Sequence, residues 1–375
     1  MNAKGWTKVK QIYENPGQRV KELKAEGNKI VGYVCYFAPP ELISAAGLIP
    51  YRITGNLREP VTLGNAYYET IMCPYTRNLF DQGLKGAYDF LDGMIMSHSC
   101  DGVLRMFGAW SYYIKTPYCH LVNVPHLVNP SCIEFFHDEL NLLRESLERY
   151  SGNRITDEKL CQVIDLYNQN RALVRELYEM RKREPPPISG TEMAQLLITG
   201  MLLPPEEFNI LLKEIKEEVK GRSEATPSKA RFLLYGSILD SNDFYKLVEG
   251  LGAKIVIDDT CIGTRCYWDG VSRSPDIMDG LVKRYFIDFK CPRTFRGTDS
   301  SARFDYIIDF AKDFDVTGVI LYGLKYCDPH KFEIPQLTDH LAKAGLPTLY
   351  IEDDYTFSNL ESLKSRVEGF IEIIT

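Results

Sequence analysis

The sequence contains ten cysteines, and their placement poses the first chemical question. A thiol that has lost its proton is a ligand for iron or zinc, and also a nucleophile. Inside a cell disulfides are rare, so clustered thiols there point to metal or catalysis before crosslinks. Four loops carry a cysteine where an expected strand ends or a helix opens. Met94-Ile-Met96 runs into Ser97-His-Ser-Cys100-Asp, and Val319 to Tyr322 runs into Gly323-Leu-Lys-Tyr-Cys327-Asp-Pro. Ile255-Val-Ile257 runs into Asp258-Asp-Thr-Cys261, and Cys73-Pro74 opens a helix through Leu84. Such positions set sulfur against amide N–H groups and helix N-termini, which favour the thiolate. Cys73, Cys100 and Cys327 lie in separate segments, so only folding could unite them. Taken singly, each reads equally well as a small buried hydrophobe.

A tighter group follows in Cys261-Ile-Gly-Thr-Arg-Cys266 and Lys290-Cys291-Pro292-Arg293. Two cysteines and a glycine in one short loop could wrap the edge of a cluster. Cys-Pro is common among cluster ligands, since proline stiffens the chain and removes a competing N–H. Zinc is the rival, but its structural sites favour closer pairs, so iron–sulfur ranks first. Cys35 within an expected strand, Cys119 in an apolar run and Cys161 in a periodic helix read as packing residues. Cys132 has no assigned role. Glu41 and His98 are candidate proton donors near such a site, although a lone carboxylate or imidazole is more often structural. Asp101 and Asp328, each following a cysteine, read as helix N-caps.

The elements that must position these residues follow from periodicity. A polar helix from Gly5 to Gly27 precedes an apolar strand from Lys29 to Phe37, a helix over Ala38 to Gly47 and a strand from Leu48 to Ile53. The same strand–helix–strand phrase recurs at Arg231–Tyr235, Asp243–Gly250 and Lys254–Ile257. It recurs again at Val319–Tyr322, Pro335–Gly345 and Thr348–Ile351. This is the βαβ unit of a parallel sheet. Between them, Phe136, Leu140, Leu143 and Leu147 share one helical face, and Leu160, Val163, Ile164 and Tyr167 share another. Pro185-Pro-Pro187 ends the second helix, a third spans about Pro205 to Lys220, and Ser223-Glu-Ala-Thr-Pro227 reads as a linker. The expected fold is α/β: two Rossmann-like parallel-sheet lobes over residues 1–132 and 226–375, with a helical segment over 133–225.

A chain of 375 residues, nearly half apolar and a quarter charged, is sized for two or three domains with their own cores. The formal charge of −7, without a block of lysine or arginine, argues against a nucleic-acid partner. Neither a leader-like start nor a long apolar run occurs, so a cytoplasmic, non-membrane protein is expected.

Four phrases together resemble the signature of the 2-hydroxyacyl-CoA dehydratase and benzoyl-CoA reductase superfamily. They are Tyr36-Phe-Ala-Pro-Pro-Glu-Leu-Ile-Ser-Ala-Ala-Gly-Leu-Ile-Pro50, Cys73 with Gly83-Leu-Lys-Gly86, Ser99-Cys100-Asp101 and Lys325-Tyr-Cys327-Asp-Pro329. The resemblance implies an oxygen-sensitive protein in which Cys73, Cys100 and Cys327 hold a [4Fe–4S] cluster between the lobes, one iron remaining open. It also implies a separate dimeric iron–sulfur ATPase that injects electrons at low potential. The chain itself has no Gly-x-x-x-x-Gly-Lys-Ser/Thr phosphate loop. The abundance of cysteine resembles the double-cubane branch, whose two bridged [4Fe–4S] units, an [8Fe–9S] cluster, need about six thiolates. Cys261, Cys266 and Cys291 would supply the second three. That reading implies a homodimeric oxidoreductase reducing a small molecule. The alternatives are one subunit of a heterodimeric 2-hydroxyacyl-CoA dehydratase or benzoyl-CoA reductase with a single [4Fe–4S] cluster, or a non-enzymatic iron–sulfur carrier or scaffold.

Overall fold

The computed structural model describes residues 4–222, 227–297, 299–356 and 360–375. In place of one N-terminal helix there are two, α1 (Gly5–Glu14) and α2 (Pro16–Ala25). Pro16 has no N–H to continue the first helix and takes the opening position of the second. Then come β1 (Ile30–Tyr33), α3 (Pro40–Ala45), β2 (Ile49–Arg52), α4 (Pro74–Leu84), β3 (Gly93–Ser97), α5 (Asp101–Tyr113) and β4 (Cys119–Val122). Strand β1 stops four residues short of the expected Phe37, which leaves Val34 to Pro39 as a loop ahead of α3.

The middle holds α6 (Pro130–Ser151), α7 (Asp157–Met180), α8 (Gly190–Gly200) and α9 (Pro205–Lys220). Helix α8 is one more than the periodicity predicts. It is apolar around most of its circumference, so no stripe marks it, but a capping box does: Ser189 accepts from the Glu192 N–H, and Glu192 accepts from that of Ser189. Of the expected linker, Ser223 to Thr226 lie outside the described residues.

The C-terminal part runs β5 (Arg231–Gly236), α10 (Asp243–Gly250), β6 (Lys254–Asp259), α11 (Thr264–Tyr267), α12 (Ile277–Val282), α13 (Ser300–Asp313), β7 (Gly318–Leu324), α14 (Asp328–Lys343), β8 (Thr348–Asp353) and α15 (Leu360–Ile374). A π-helical turn, Lys283–Ile287, continues α12. Helix α14 begins at Asp328 and runs through Pro335, where the sequence alone predicts its start. Burial of His330, Ile334, Leu337 and Leu341 on one face outweighs the backbone bond lost at the proline.

Among the described residues, eight strands form two four-stranded parallel sheets, ordered β2-β1-β3-β4 and β6-β5-β7-β8. The fold is thus α/β with two Rossmann-like lobes of identical strand order. Strands β1, β3, β5 and β7 are buried along their whole length, as helices on both faces require. One buried polar knot ties three segments together. Arg171 of α7 donates to Glu41 Oε1 of α3 at 2.5 Å, and Tyr285 of the π-helical turn donates to Glu41 Oε2 at 2.7 Å. No described helix is long and apolar enough to cross a membrane.

Candidate metal centre

In open parallel sheets, ligands gather beyond the carboxyl ends of the strands. Here those ends deliver six cysteines to one cavity of ≈ 100 Å³ at the seam of the lobes: Cys35, Cys73, Cys100, Cys261, Cys291 and Cys327. Three come from each lobe. Cys35 follows β1, Cys100 follows β3, and Cys73 opens α4; Cys261 follows β6, Cys327 follows β7, and Cys291 follows the π-helical turn. The lobes repeat one device. Cys100 and Cys327 both stand three residues beyond equivalent strands, each as the N-cap of the next helix and each followed by aspartate. The walls between them are apolar, with Val34, Val103, Ile238, Phe289 and Leu324 excluding water.

The electrostatics of this cavity keep its thiols protonated unless a metal takes the place of the protons. Burial pushes the thiols of Cys73, Cys261, Cys291 and Cys327 upward, and that of Cys100 up to about 12. Against burial act the N–H groups of the helix starts: those of Thr76 and Tyr75 on Cys73, of Val103 and Gly102 on Cys100, and of His330 on Cys327. Metal would displace the protons that burial retains.

The surrounding protein, in turn, is built for an anion. Arg52, the last residue of β2, lines the cavity while only 3 % exposed, and its Nε and Nη1 have no hydrogen-bond partner. Arg293, two residues beyond Cys291, likewise has an unpartnered buried Nε. Orphaned guanidinium N–H groups are costly unless negative charge lies before them. A thiolate-ligated metal cluster, cationic at its metal core and anionic as a whole, answers both demands.

The spacing of the sulfurs bears on which metal group they could hold. Tetrahedral zinc, with Zn–S bonds of about 2.3 Å, draws its sulfurs to within roughly 4 Å of one another. Among the described residues, no three cysteine sulfurs approach within 4.8 Å of each other, and the compact set that does occur is His137, Asp276 and Asp279, none of which lines this cavity. Six sulfurs spread around one void fit a polynuclear iron–sulfur centre.

Of the candidate residues, five of the six cysteines named from sequence meet here, and Cys35 stands with them. Cys266 does not line this cavity. It is buried in α11, its thiol donates to the Cys261 carbonyl at 3.2 Å, and it faces a separate cavity of ≈ 30 Å³ beside Tyr33 and Arg171. Burial holds its thiol up at about 12. Glu41 lies in the polar knot rather than on the cavity wall. His98 is half-buried and also off that wall; burial, aided by Arg293, lowers its pKa.

Arg52, Arg265 and His330 line the site without having been singled out from sequence. Position at or just beyond the carboxyl end of a parallel strand is the one signal that could have found Cys35 and Arg52. A second cavity, ≈ 290 Å³, shares the walls Arg265 and Phe289 with the first and is lined also by Asp259, Lys290 and Tyr306.

Comparison with known proteins gives a consistent picture. The family described as 2-hydroxyglutaryl-CoA dehydratase, D-component, matches residues 35–374. The (R)-phenyllactyl-CoA dehydratase beta subunit of Clostridium sporogenes is 26% identical over 367 residues, 97% of each chain. A benzoyl-CoA reductase subunit of Thauera aromatica is 28% identical over 355 residues, 92% of this chain and 91% of the relative. The (R)-2-hydroxyglutaryl-CoA dehydratase subunit beta of Acidaminococcus fermentans is 22% identical over 373 residues, 96% of this chain and 97% of the relative.

Proposed function

Because the chain belongs to the 2-hydroxyglutaryl-CoA dehydratase D-component family, we propose that it is the catalytic component of an iron–sulfur reductase acting on a small molecule. The observation that carries this reading is the convergence of six cysteines on one cavity. One [4Fe–4S] unit with an open iron needs three thiolates, whereas a double-cubane [8Fe–9S] centre needs about six. In this reading Cys73, Cys100 and Cys327 hold one unit, and Cys35, Cys261 and Cys291 hold the other. Cys35 takes the place that the sequence pattern gives to Cys266.

The bound centre supplies one-electron reduction at low potential. The protein's own residues do the rest. Val34, Val103, Ile238 and Leu324 keep water from the metal, and Arg52 offsets the negative charge that each added electron increases. The neighbouring cavity, bounded by Arg265 and Phe289, is where a small substrate would wait beside the cluster. Electrons reach the protein from a separate ATP-hydrolysing iron–sulfur activator, and the functional unit is a homodimer.

A second reading is favoured by the names of the relatives, which are subunits of CoA-ester dehydratases and of benzoyl-CoA reductase. In that case the chain is one half of a heterodimer and carries a single [4Fe–4S] cluster. Anoxic purification of the chain alone separates the two. About eight irons and nine sulfides per chain, with reduction of acetylene or hydrazine when the activator and ATP are supplied, support the double cubane. About four irons and turnover only with a paralogous subunit and a CoA thioester support the alternative. Colourless, iron-free protein would refute both.

A further inference from the structure

A buried arginine and histidine link two of the cysteines, and what they do follows from which atoms can donate. This inference rests on reading the cavity as a double-cubane iron–sulfur site. Every N–H of Arg265 faces an acceptor. Nε donates to Asp259 Oδ1 at 3.1 Å, while Nη2 donates to the Asp259 carbonyl at 2.9 Å and to Oδ2 at 3.2 Å. Nη1 turns into the cavity, where it donates to Cys261 Sγ at 3.7 Å and meets His330 Nε2 at 3.2 Å.

A guanidinium has donors only, so Nε2 is the accepting nitrogen of the imidazole and the ring proton resides on Nδ1. Nδ1 lies 3.4 Å from Cys327 Sγ. His330 is 3 % exposed and packs beside the Tyr235 ring, so the imidazole has little freedom to turn away. The Gly236 carbonyl also lies near the ring and is an acceptor that could compete for its proton.

We propose that Arg265 and His330 are paired positioning residues that give an N–H hydrogen bond to one thiolate of each cubane, Cys261 directly and Cys327 through the imidazole, and thereby set the reduction potential of the bound centre. Hydrogen bonds to ligand sulfur stabilise the more negative, reduced state and so raise the potential. Because one guanidinium serves both sulfurs, the two halves are tuned together. Asp259 fixes the plane of the fork from the side of the neighbouring cavity.

The test is anoxic redox titration of the full-length, iron-loaded protein with europium(II) chelates as reductant. His330→Phe removes the donor, and its midpoint potential is expected to move to more negative values with iron content unchanged. His330→Asn keeps an N–H near the position of Nδ1 and is expected to restore most of the shift. An unshifted His330→Phe, or a His330→Asn that moves as far as the phenylalanine variant, overturns the proposal.

Should the phenylalanine variant fail to fold, wild-type protein labelled with 15N-histidine decides the matter. Pulsed EPR of the reduced centre is expected to show coupling to one histidine nitrogen and to an exchangeable proton. The nitrogen coupling would be absent if the proton belonged to Gly236, and that result sinks the idea. Wild-type protein that binds no iron at all removes the cluster reading itself, a distinct outcome visible before any variant is made.

Discussion

Cys35 and Cys266 are both small, both shielded and both close to the seam, yet the backbone aims them at different voids. Cys35 follows a strand that ends at Tyr33, so its side chain emerges among the loops at the sheet's carboxyl edge. Cys266 lies one residue beyond Arg265 on the single turn of α11, and successive residues of a helix point in different directions. Arg265 therefore takes the cavity and Cys266 turns toward the aromatic packing of Tyr36 and Tyr267. Cys35→Ser is expected to lower bound iron substantially, whereas Cys266→Ser is expected to leave it at the wild-type level. Iron and sulfide analysis of the two purified proteins checks this, and the reverse ranking would restore Cys266 as a ligand. The sequence marked Cys73, Cys100, Cys261, Cys291 and Cys327 as candidates because each adjoins a recognisable strand end, helix start or proline, and the structure brings these five to one cavity. It hid Cys35 because an apolar run shows where a strand can form, not where hydrogen bonding stops. It hid His330 because a lone histidine inside an amphipathic helix looks the same whether it packs or donates.

At the scale of elements, the polar knot around Glu41 raises a functional question and receives a structural answer. Its carboxylate is fully buried, with Arg171 and Tyr285 satisfying both oxygens. This joins α3 of the first lobe, α7 of the middle and the π-helical turn of the second lobe. Removing one member of such a pair strands the other charge in the interior. Glu41→Ala is therefore expected to cost about 3–5 kcal/mol of unfolding free energy, measured by urea denaturation under anoxic conditions. A cost below roughly 0.5 kcal/mol would mean that the knot is wet and that Glu41 is free for other work. Elements of this kind were only partly legible. The βαβ repeats followed from alternating periodicity, since their strands and helices differ in residue spacing. The break at Pro16, helix α8 and the early start of α14 did not, because capping and tertiary burial decide them rather than local pattern.

For the whole molecule, the decisive fact is that each lobe contributes half of the sulfur. A centre bound by both lobes adds its binding free energy to the folded state and to the contact between them. Iron-loaded protein is expected to melt at a higher temperature, in one cooperative transition. Protein stripped with a chelator under reducing conditions is expected to melt earlier and over a broader range as the lobes lose their common staple. Anoxic differential scanning calorimetry reads both, and identical curves would show that the metal lies outside the load path between the lobes.

The even division of donors also dictates an order of events during biosynthesis. A ribosome releases Cys35, Cys73 and Cys100 long before Cys327. The first lobe can fold as it emerges, but it presents only an open half-socket of three thiols. In the reading proposed above, insertion of the inorganic centre waits until the second lobe has supplied Cys261, Cys291 and Cys327.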